Sequence, residues 1–207
     1  MNSTIKHIHL LCVLIVFLMP SLGVAREDVP AEYLDSAFQQ ATSNNVPAAL
    51  VLLDDIIKLY PDSIKAHKMR GELLWGQARG EEALSDFDRL LELQPNNQEA
   101  LLNRCLLLES MGKESAVTIP CYSAVVEKIK DTLPQESLKR NEYYTLAAML
   151  AEMPEAATIK REFLENLDEG NDIDSMTRDY IVNFDKRRLK EGYDMLKKLR
   201  LEQENSK

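Results

Sequence analysis

Histidine is scarce in this chain of 207 residues, which contains three. His7 and His9 lie in a terminal segment that we expect to be removed, so His67 alone remains. A single histidine excludes a His-rich metal site built within one chain. His67 can still assist chemistry or pack inside a helix, and its surroundings favour packing.

Signatures of catalysis are also missing. The sequence has no Gly-rich phosphate loop, no nucleophile elbow and no metal-spaced cluster, so we predict no cofactor and no enzyme. Adjacent acids such as Asp54 and Asp55 fall where helix surface is expected, although carboxylates can still meet in space. The net charge of −9 argues against nucleic acid as a partner, because phosphate neutralisation supplies most of that affinity.

Long apolar runs are limited to the beginning of the chain. The run from Ile8 to Met19 is about twelve residues, short of the ~20 that a membrane-spanning helix needs. Pro20 and the small residues up to Ala25 complete the pattern of a secretory signal peptide cleaved after Ala25. We therefore predict a periplasmic or otherwise exported protein without an integral membrane segment after cleavage. The alternative is an uncleaved anchor.

One sequence pattern returns after 34 residues: ALVLLDDIIKLYP at 49–61 is followed by ALSDFDRLLELQP at 83–95. Small residues such as Gly71 and Ala83 let two helices approach closely, and Pro95 cannot continue a helix. The period divides residues 30–131 into three units, 30–63, 64–97 and 98–131. One helical pair cannot bury its apolar face alone, so such units stack.

This pattern resembles the tetratricopeptide repeat (TPR), a helix–turn–helix unit of 34 residues. The second unit matches best, and the third departs from the pattern at Val117 and Ile129. The resemblance implies an all-α fold, a right-handed α-α superhelix of TPR-like hairpins with C-terminal capping helices. We expect a degenerate repeat or capping pair at 132–171. We expect one last helix with a tail at 172–207, in which Gly192 introduces a bend.

The resemblance further implies a protein or peptide partner on the concave face, which the first helix of each unit lines. The positions carried over are Leu34, Phe38, Lys65, Lys68, Glu72, Trp75, Glu99, Leu102, Asn103, Leu106 and Glu109. Trp75 is the single tryptophan, a residue type enriched among those that dominate binding energy. The alternative for Trp75 and the leucines is packing between units.

Cys105 and Cys121 remain after the signal peptide is removed, and an even number in an exported protein favours a disulfide. The resemblance places them on facing helices of the third unit. The bond would close a loop of about 17 residues and contribute about 3 kcal/mol. The alternative is two buried thiols.

Basic residues concentrate in 186–200, with seven bases and two acids, whereas 142–174 holds nine acids and two bases. The basic segment can contact an acidic partner or lipid headgroups, or it can fold back or form a solvated face. The sequence as a whole predicts a periplasmic adaptor or assembly factor of an envelope or secretion system. The alternative is an immunity protein that neutralises an exported toxin.

Overall fold

A computed structural model of the chain describes residues 29–168 and 170–205, and every helix or strand in this part is an α-helix. The helices are α1 (Ala31–Thr42), α2 (Val46–Leu59), α3 (Ile64–Gly76), α4 (Gly80–Leu93), α5 (Gln98–Ser110), α6 (Ser115–Thr132), α7 (Gln135–Leu138), α8 (Glu142–Leu150), α9 (Ala156–Glu165), α10 (Asp172–Asn183) and α11 (Arg187–Asn205). The signal peptide predicted at 1–25 lies outside the described residues.

The helices pack as successive hairpins. α1 packs with α2, α3 with α4, α5 with α6, and α8 with α9. The second helix of each of the first three hairpins also packs along the first helix of the next, which joins the hairpins into one stack. The predicted all-α fold of stacked TPR-like hairpins is therefore confirmed.

The turn inside each hairpin contains a residue with a positive φ angle, and these residues repeat along the chain. Asn44, Ala78 and Gly112 have φ of 60°, 53° and 77°, and they are spaced 34 residues apart. Glu152, with φ of 56°, occupies the same place in the α8–α9 turn, 40 residues after Gly112. A left-handed residue at this point reverses the chain, and glycine adopts it without the steric cost that Cβ brings.

The first helices of successive hairpins begin with similar caps but differ in length after residue 131, where the period fails. Ser63, Asn97 and Asn141 cap α3, α5 and α8 by accepting a hydrogen bond from the backbone N–H three residues on. α3 and α5 have 13 residues each, whereas α8 has 9 and is about one turn shorter. The long α6 and the short α7 insert extra residues before α8.

The apolar core runs along the stack in three clusters. One joins α1 to α3 around Leu53, and the next joins α2 to α5 around Phe87 and Leu90. The largest extends from α5 to α10 around Tyr122 and Phe163. The stack is thus held together by contacts between neighbouring hairpins, as expected for a repeat protein.

The single last helix predicted at 172–207 is wrong, because two helices, α10 and α11, occupy this segment. The chain turns at Phe184, whose φ of −61° and ψ of 124° are not helical. Asp185 then accepts a hydrogen bond from the Arg187 backbone N–H at 3.0 Å, and this bond helps to start α11. Gly192 lies within α11 and does not break it.

α11 folds back onto the middle of the stack. It packs against α5, and Tyr193 is buried in the cluster that α2 to α5 form. None of the described helices combines the length and the hydropathy that crossing a membrane requires.

Candidate functional site

Three of the predicted concave-face residues are buried. Leu34 is 9% exposed, Leu102 4% and Leu106 5%, and each belongs to an apolar cluster. Leu102 and Leu106 lie in the cluster that also holds Ile181 of α10 and residues of α8. The prediction that these three side chains contact a partner is therefore wrong, because they are buried in the packing between hairpins.

The remaining predicted residues keep exposed or half-buried side chains. Phe38 is 57% exposed on α1. Lys65 is exposed, and Asn103 and Glu109 are half-buried. Lys186 lies close enough to Glu109 for the two charges to interact, so Glu109 faces a basic residue of the chain itself.

Lys68 connects the second and third hairpins. Its Nζ lies 2.6 Å from Glu99 Oε2 and 3.9 Å from Glu72 Oε1. The pKa of Glu72 is raised above its ordinary value, mainly by burial. The nearby charge of Lys68 acts in the opposite direction, and that of Glu99 adds to the increase. Two carboxylates therefore share a single lysine on this surface.

The acidic surface continues onto α8 and α10, through residues that the sequence analysis did not select. Burial raises the pKa of Tyr143 to about 12, with further contributions from Glu99 and Glu142. Burial likewise raises the pKa of Tyr180, and Glu142 adds to the shift. Tyr143 and Tyr180 thus lie within electrostatic range of the carboxylates that begin at Glu72.

We call this surface the acidic strip and define it by Glu72, Trp75, Glu99, Glu142, Tyr143 and Tyr180. Met176 and Ile173 extend its apolar part along α10, where they are 73% and 72% exposed. They lie four and seven residues before Tyr180, on the same side of the helix. The strip therefore combines carboxylates with aromatic and aliphatic side chains that neighbouring helices leave accessible.

Trp75 joins the strip to the apolar packing of the stack. It is half-buried, packs against two of the apolar clusters and meets Phe87 edge-on at a centroid distance of 6.3 Å. It follows Glu72 by three residues on α3, so both side chains lie on one side of that helix. Part of the indole packs between hairpins and part remains accessible.

His67 is buried in a polar network instead of facing the strip. Its Nδ1 lies 2.7 Å from Asp86 Oδ1 and its Nε2 lies 3.0 Å from the carbonyl oxygen of Pro61. Arg70 donates to both Asp86 oxygens, at 2.9 and 2.7 Å, and to Asp54 at 2.7 Å. These bonds tie α2, α3 and α4 together, so the structure gives His67 a packing role.

Cys105 and Cys121 are joined by a disulfide in the structure, with 5.7 Å between their Cα atoms. The bond connects α5 to α6 in the third hairpin, next to Leu102 and Leu106 in the largest cluster. Among the described residues no group of His, Cys, Asp and Glu is arranged to hold a metal ion.

Comparisons with known proteins agree with this architecture. No protein-family model matches the chain. A TPR repeat-containing protein of Rhizobium etli is 25% identical over 129 residues, which make up 62% of this chain but only 59% of that protein's length. A solved structure of MamA, the MamA RS-1 ArsTM double mutant, has a TM-score of 0.51 at 17% identity and covers 87% of this chain and 99% of that chain. A crystal structure of MamA protein has a TM-score of 0.48 at 14% identity, covering 84% and 91%.

The stacked hairpins and the 34-residue spacing of their turns define a helical repeat protein, an architecture whose stacked units create extended surfaces. These comparisons support the resemblance to tetratricopeptide repeats, and the chain has a TPR-like fold of stacked helical hairpins.

Proposed function

We propose that this chain is an exported, non-catalytic adaptor or assembly factor that binds a protein partner in the periplasm along the acidic strip. The observation that supports this most is that Glu72, Glu99 and Glu142 lie on one surface with accessible aromatic side chains. These residues come from three hairpins and α10. The signal-peptide pattern of residues 1–25 supports the location. No covalent step is required.

The strip favours a basic peptide that also carries apolar side chains. Lysine or arginine side chains of the peptide would pair with Glu72 and Glu99, and apolar side chains would pack on Tyr143, Tyr180 and Met176. Charged contacts of this kind raise the association rate and are weakened by salt. Because the pKa of Glu72 lies above its ordinary value, binding should weaken as the pH falls through that raised pKa.

The other partner predicted from the sequence, an acidic one for the basic last helix, receives less support. Lys186 pairs with Glu152 at 2.8 Å, and Lys190 pairs with Asp194. Lys198 lies 3.9 Å from Glu202. Lys186, which precedes α11, and Lys190 and Lys198 on α11 therefore already face carboxylates of this chain.

The alternative function, an immunity protein for an exported toxin, would use the same surface. A cross-linked pull-down from the periplasmic fraction separates the two. A single toxin bound at nanomolar strength supports immunity, whereas several envelope components bound more weakly support the adaptor.

The proposed surface is tested directly by fluorescence anisotropy with two labelled peptides that share their apolar residues. One carries arginines and the other carries glutamates at the remaining positions. We expect the arginine peptide to bind and Glu72→Gln with Glu99→Gln to weaken it about tenfold or more. The matched control, Glu81→Gln with Glu92→Gln on α4, removes the same charge and should bind as the wild type does. Equal loss in both double variants would overturn the strip as the binding surface.

A further inference from the structure

The regular packing of the stack is lost between α9 and α10. In the earlier hairpins the second helix packs along the next first helix, as α2 does with α3 and α4 with α5. α10 takes the place of a first helix by packing on α8, but no comparable packing joins it to α9 in the described part of the chain. A groove of about 590 Å³ lies there.

The chain order also leaves α10 without a partner helix. Each earlier first helix is followed by a second helix that packs against it, and the helix that follows α10 is α11. α11 instead leaves this end of the stack and packs on α5, where Tyr193 is buried. α10 is therefore left without a second helix of its own.

One face of α9 forms the wall of the groove. Ala157, Lys160, Arg161 and Leu164 follow the spacing of neighbours on one side of a helix, and Leu167 extends the apolar part. Arg178 contributes from α10, and its Nη2 donates to the carbonyl oxygen of Leu164 at 3.0 Å. The groove thus has an apolar floor and three basic side chains.

The basic side chains stand out against their surroundings. Lys160 and Arg161 are the two bases of residues 142–174, which hold nine acids, and both line the groove. Glu165 also lines it, at 3.9 Å from Arg161, and both side chains are 66% exposed. Among the described residues Lys160 has no carboxylate within ion-pair distance. The groove offers positive charge that the chain itself neutralises only weakly.

We propose that the groove between α9 and α10 binds an acidic amphipathic helix of a partner protein, seated where α10 lacks a second helix. The apolar side of the helix packs on Leu164 and Leu167. Its carboxylates pair with Lys160, Arg161 and Arg178. A helix laid into a groove in this way is held by apolar side chains one and two turns apart, and the charges orient it.

This site is separate from the acidic strip. Arg178 and Tyr180 are two residues apart on α10, so their side chains point about 200° apart around the helix. Arg178 faces the groove, and Tyr180 faces Glu142 in the strip. The chain would then hold an acidic helix on one side of α10 and a basic peptide on the other.

The test uses two labelled synthetic helices of about four turns with the same leucine stripe, one with glutamates and one with lysines on its flanks. Binding to the full chain is followed by fluorescence anisotropy. We expect the glutamate helix to bind and the lysine helix not to. Lys160→Glu with Arg161→Glu should weaken the glutamate helix about tenfold or more. Lys197→Glu with Lys198→Glu on α11 matches the charge change and should leave binding unchanged.

Other results overturn the proposal. No binding of the glutamate helix, or an equal loss in both double variants, would show that no specific site exists. A wild-type dimer in sedimentation that Lys160→Glu with Arg161→Glu dissociates would identify a second copy as the occupant. Binding of the glutamate helix should survive Glu72→Gln with Glu99→Gln, so failure of this site and failure of the acidic strip are distinguishable.

Discussion

The hydroxyl of Tyr193 accepts a hydrogen bond from the backbone N–H of Gly80 at 3.0 Å, although 113 residues separate them. The same hydroxyl donates to the carbonyl oxygen of Ala78 at 3.1 Å. A Cβ at residue 80 would clash with this hydroxyl, so the contact depends on glycine. One side chain of α11 therefore closes the turn between α3 and α4.

Replacing Tyr193 by phenylalanine should lower the free energy of unfolding by about 1–3 kcal/mol, because Gly80 N–H and Ala78 C=O lose a buried partner. In the Tyr193→Phe variant, hydrogen exchange should be faster in α11 than in α3. Tyr33→Phe, at a tyrosine that is 46% exposed, is the matched control and should change little. Equal protection of α11 in both variants would contradict the role of the hydroxyl.

Replacing two glycines by alanine should have opposite effects on stability. Gly112 has φ of 77°, and a Cβ there would lie 3.0 Å from Lys190 Cε, so Gly112→Ala should destabilise by about 1 kcal/mol. Gly192 lies inside α11 with no neighbour within 4 Å of an added Cβ, so Gly192→Ala should stabilise by about 0.5–1 kcal/mol. Thermal unfolding of both variants checks the pair, and shifts of the same sign would refute it.

The fold could be predicted from the sequence wherever the period holds. Ala49 and Ala83, with Pro61 and Pro95, fix the hairpins because small residues and helix breakers act locally. The end of the chain could not be predicted in the same way. The break at Phe184 and the return of α11 depend on where Tyr193 finds a buried partner, and such a distant contact leaves no periodic signal.

The candidate site was only partly predictable for a related reason. Lys68, Glu72 and Glu99 were selected through the repeat, and their side chains lie close to one another. Leu102 and Leu106 are buried because α8 and the C-terminal helices pack onto the third hairpin, and Tyr143 and Tyr180 belong to segments outside the period. The N-cap Asn141, which corresponds to Asn97, is the local signal from which Tyr143 could have been found.

Asp86 is 1% exposed and holds both His67 and Arg70, which makes it the centre of the polar network. Asp86→Asn leaves buried positive charge without its counter-charge and should cost about 3–5 kcal/mol in denaturant unfolding. Asp54 binds the same Arg70 but its side chain is 52% exposed, so Asp54→Asn should cost less than about 1 kcal/mol. Equal costs would show that burial does not decide the difference.

The oxidised and reduced forms of the protein should differ in mass and in stability. Non-reducing mass spectrometry of the full chain should show Cys105 linked to Cys121, and two free thiols would end the assignment. Reduction should lower the free energy of unfolding by about 3 kcal/mol, because the bond restricts the unfolded chain. Cys105→Ala with Cys121→Ala serves as the control, since reductant should leave its unfolding midpoint unchanged.

Trp75 connects the apolar packing of the stack to the acidic strip, and a single substitution separates its two roles. If the accessible edge of the indole contacts the partner, Trp75→Ala should weaken the arginine peptide in anisotropy by about tenfold, as expected for an interfacial tryptophan. If Trp75 serves packing, the variant should instead lose several degrees of melting temperature and keep its affinity. Leu74→Ala is the matched control, because Leu74 is 3% exposed next to Trp75 and should affect stability alone. We expect Trp75→Ala to lose more affinity and less stability than Leu74→Ala, and the reverse order would assign the indole to the core.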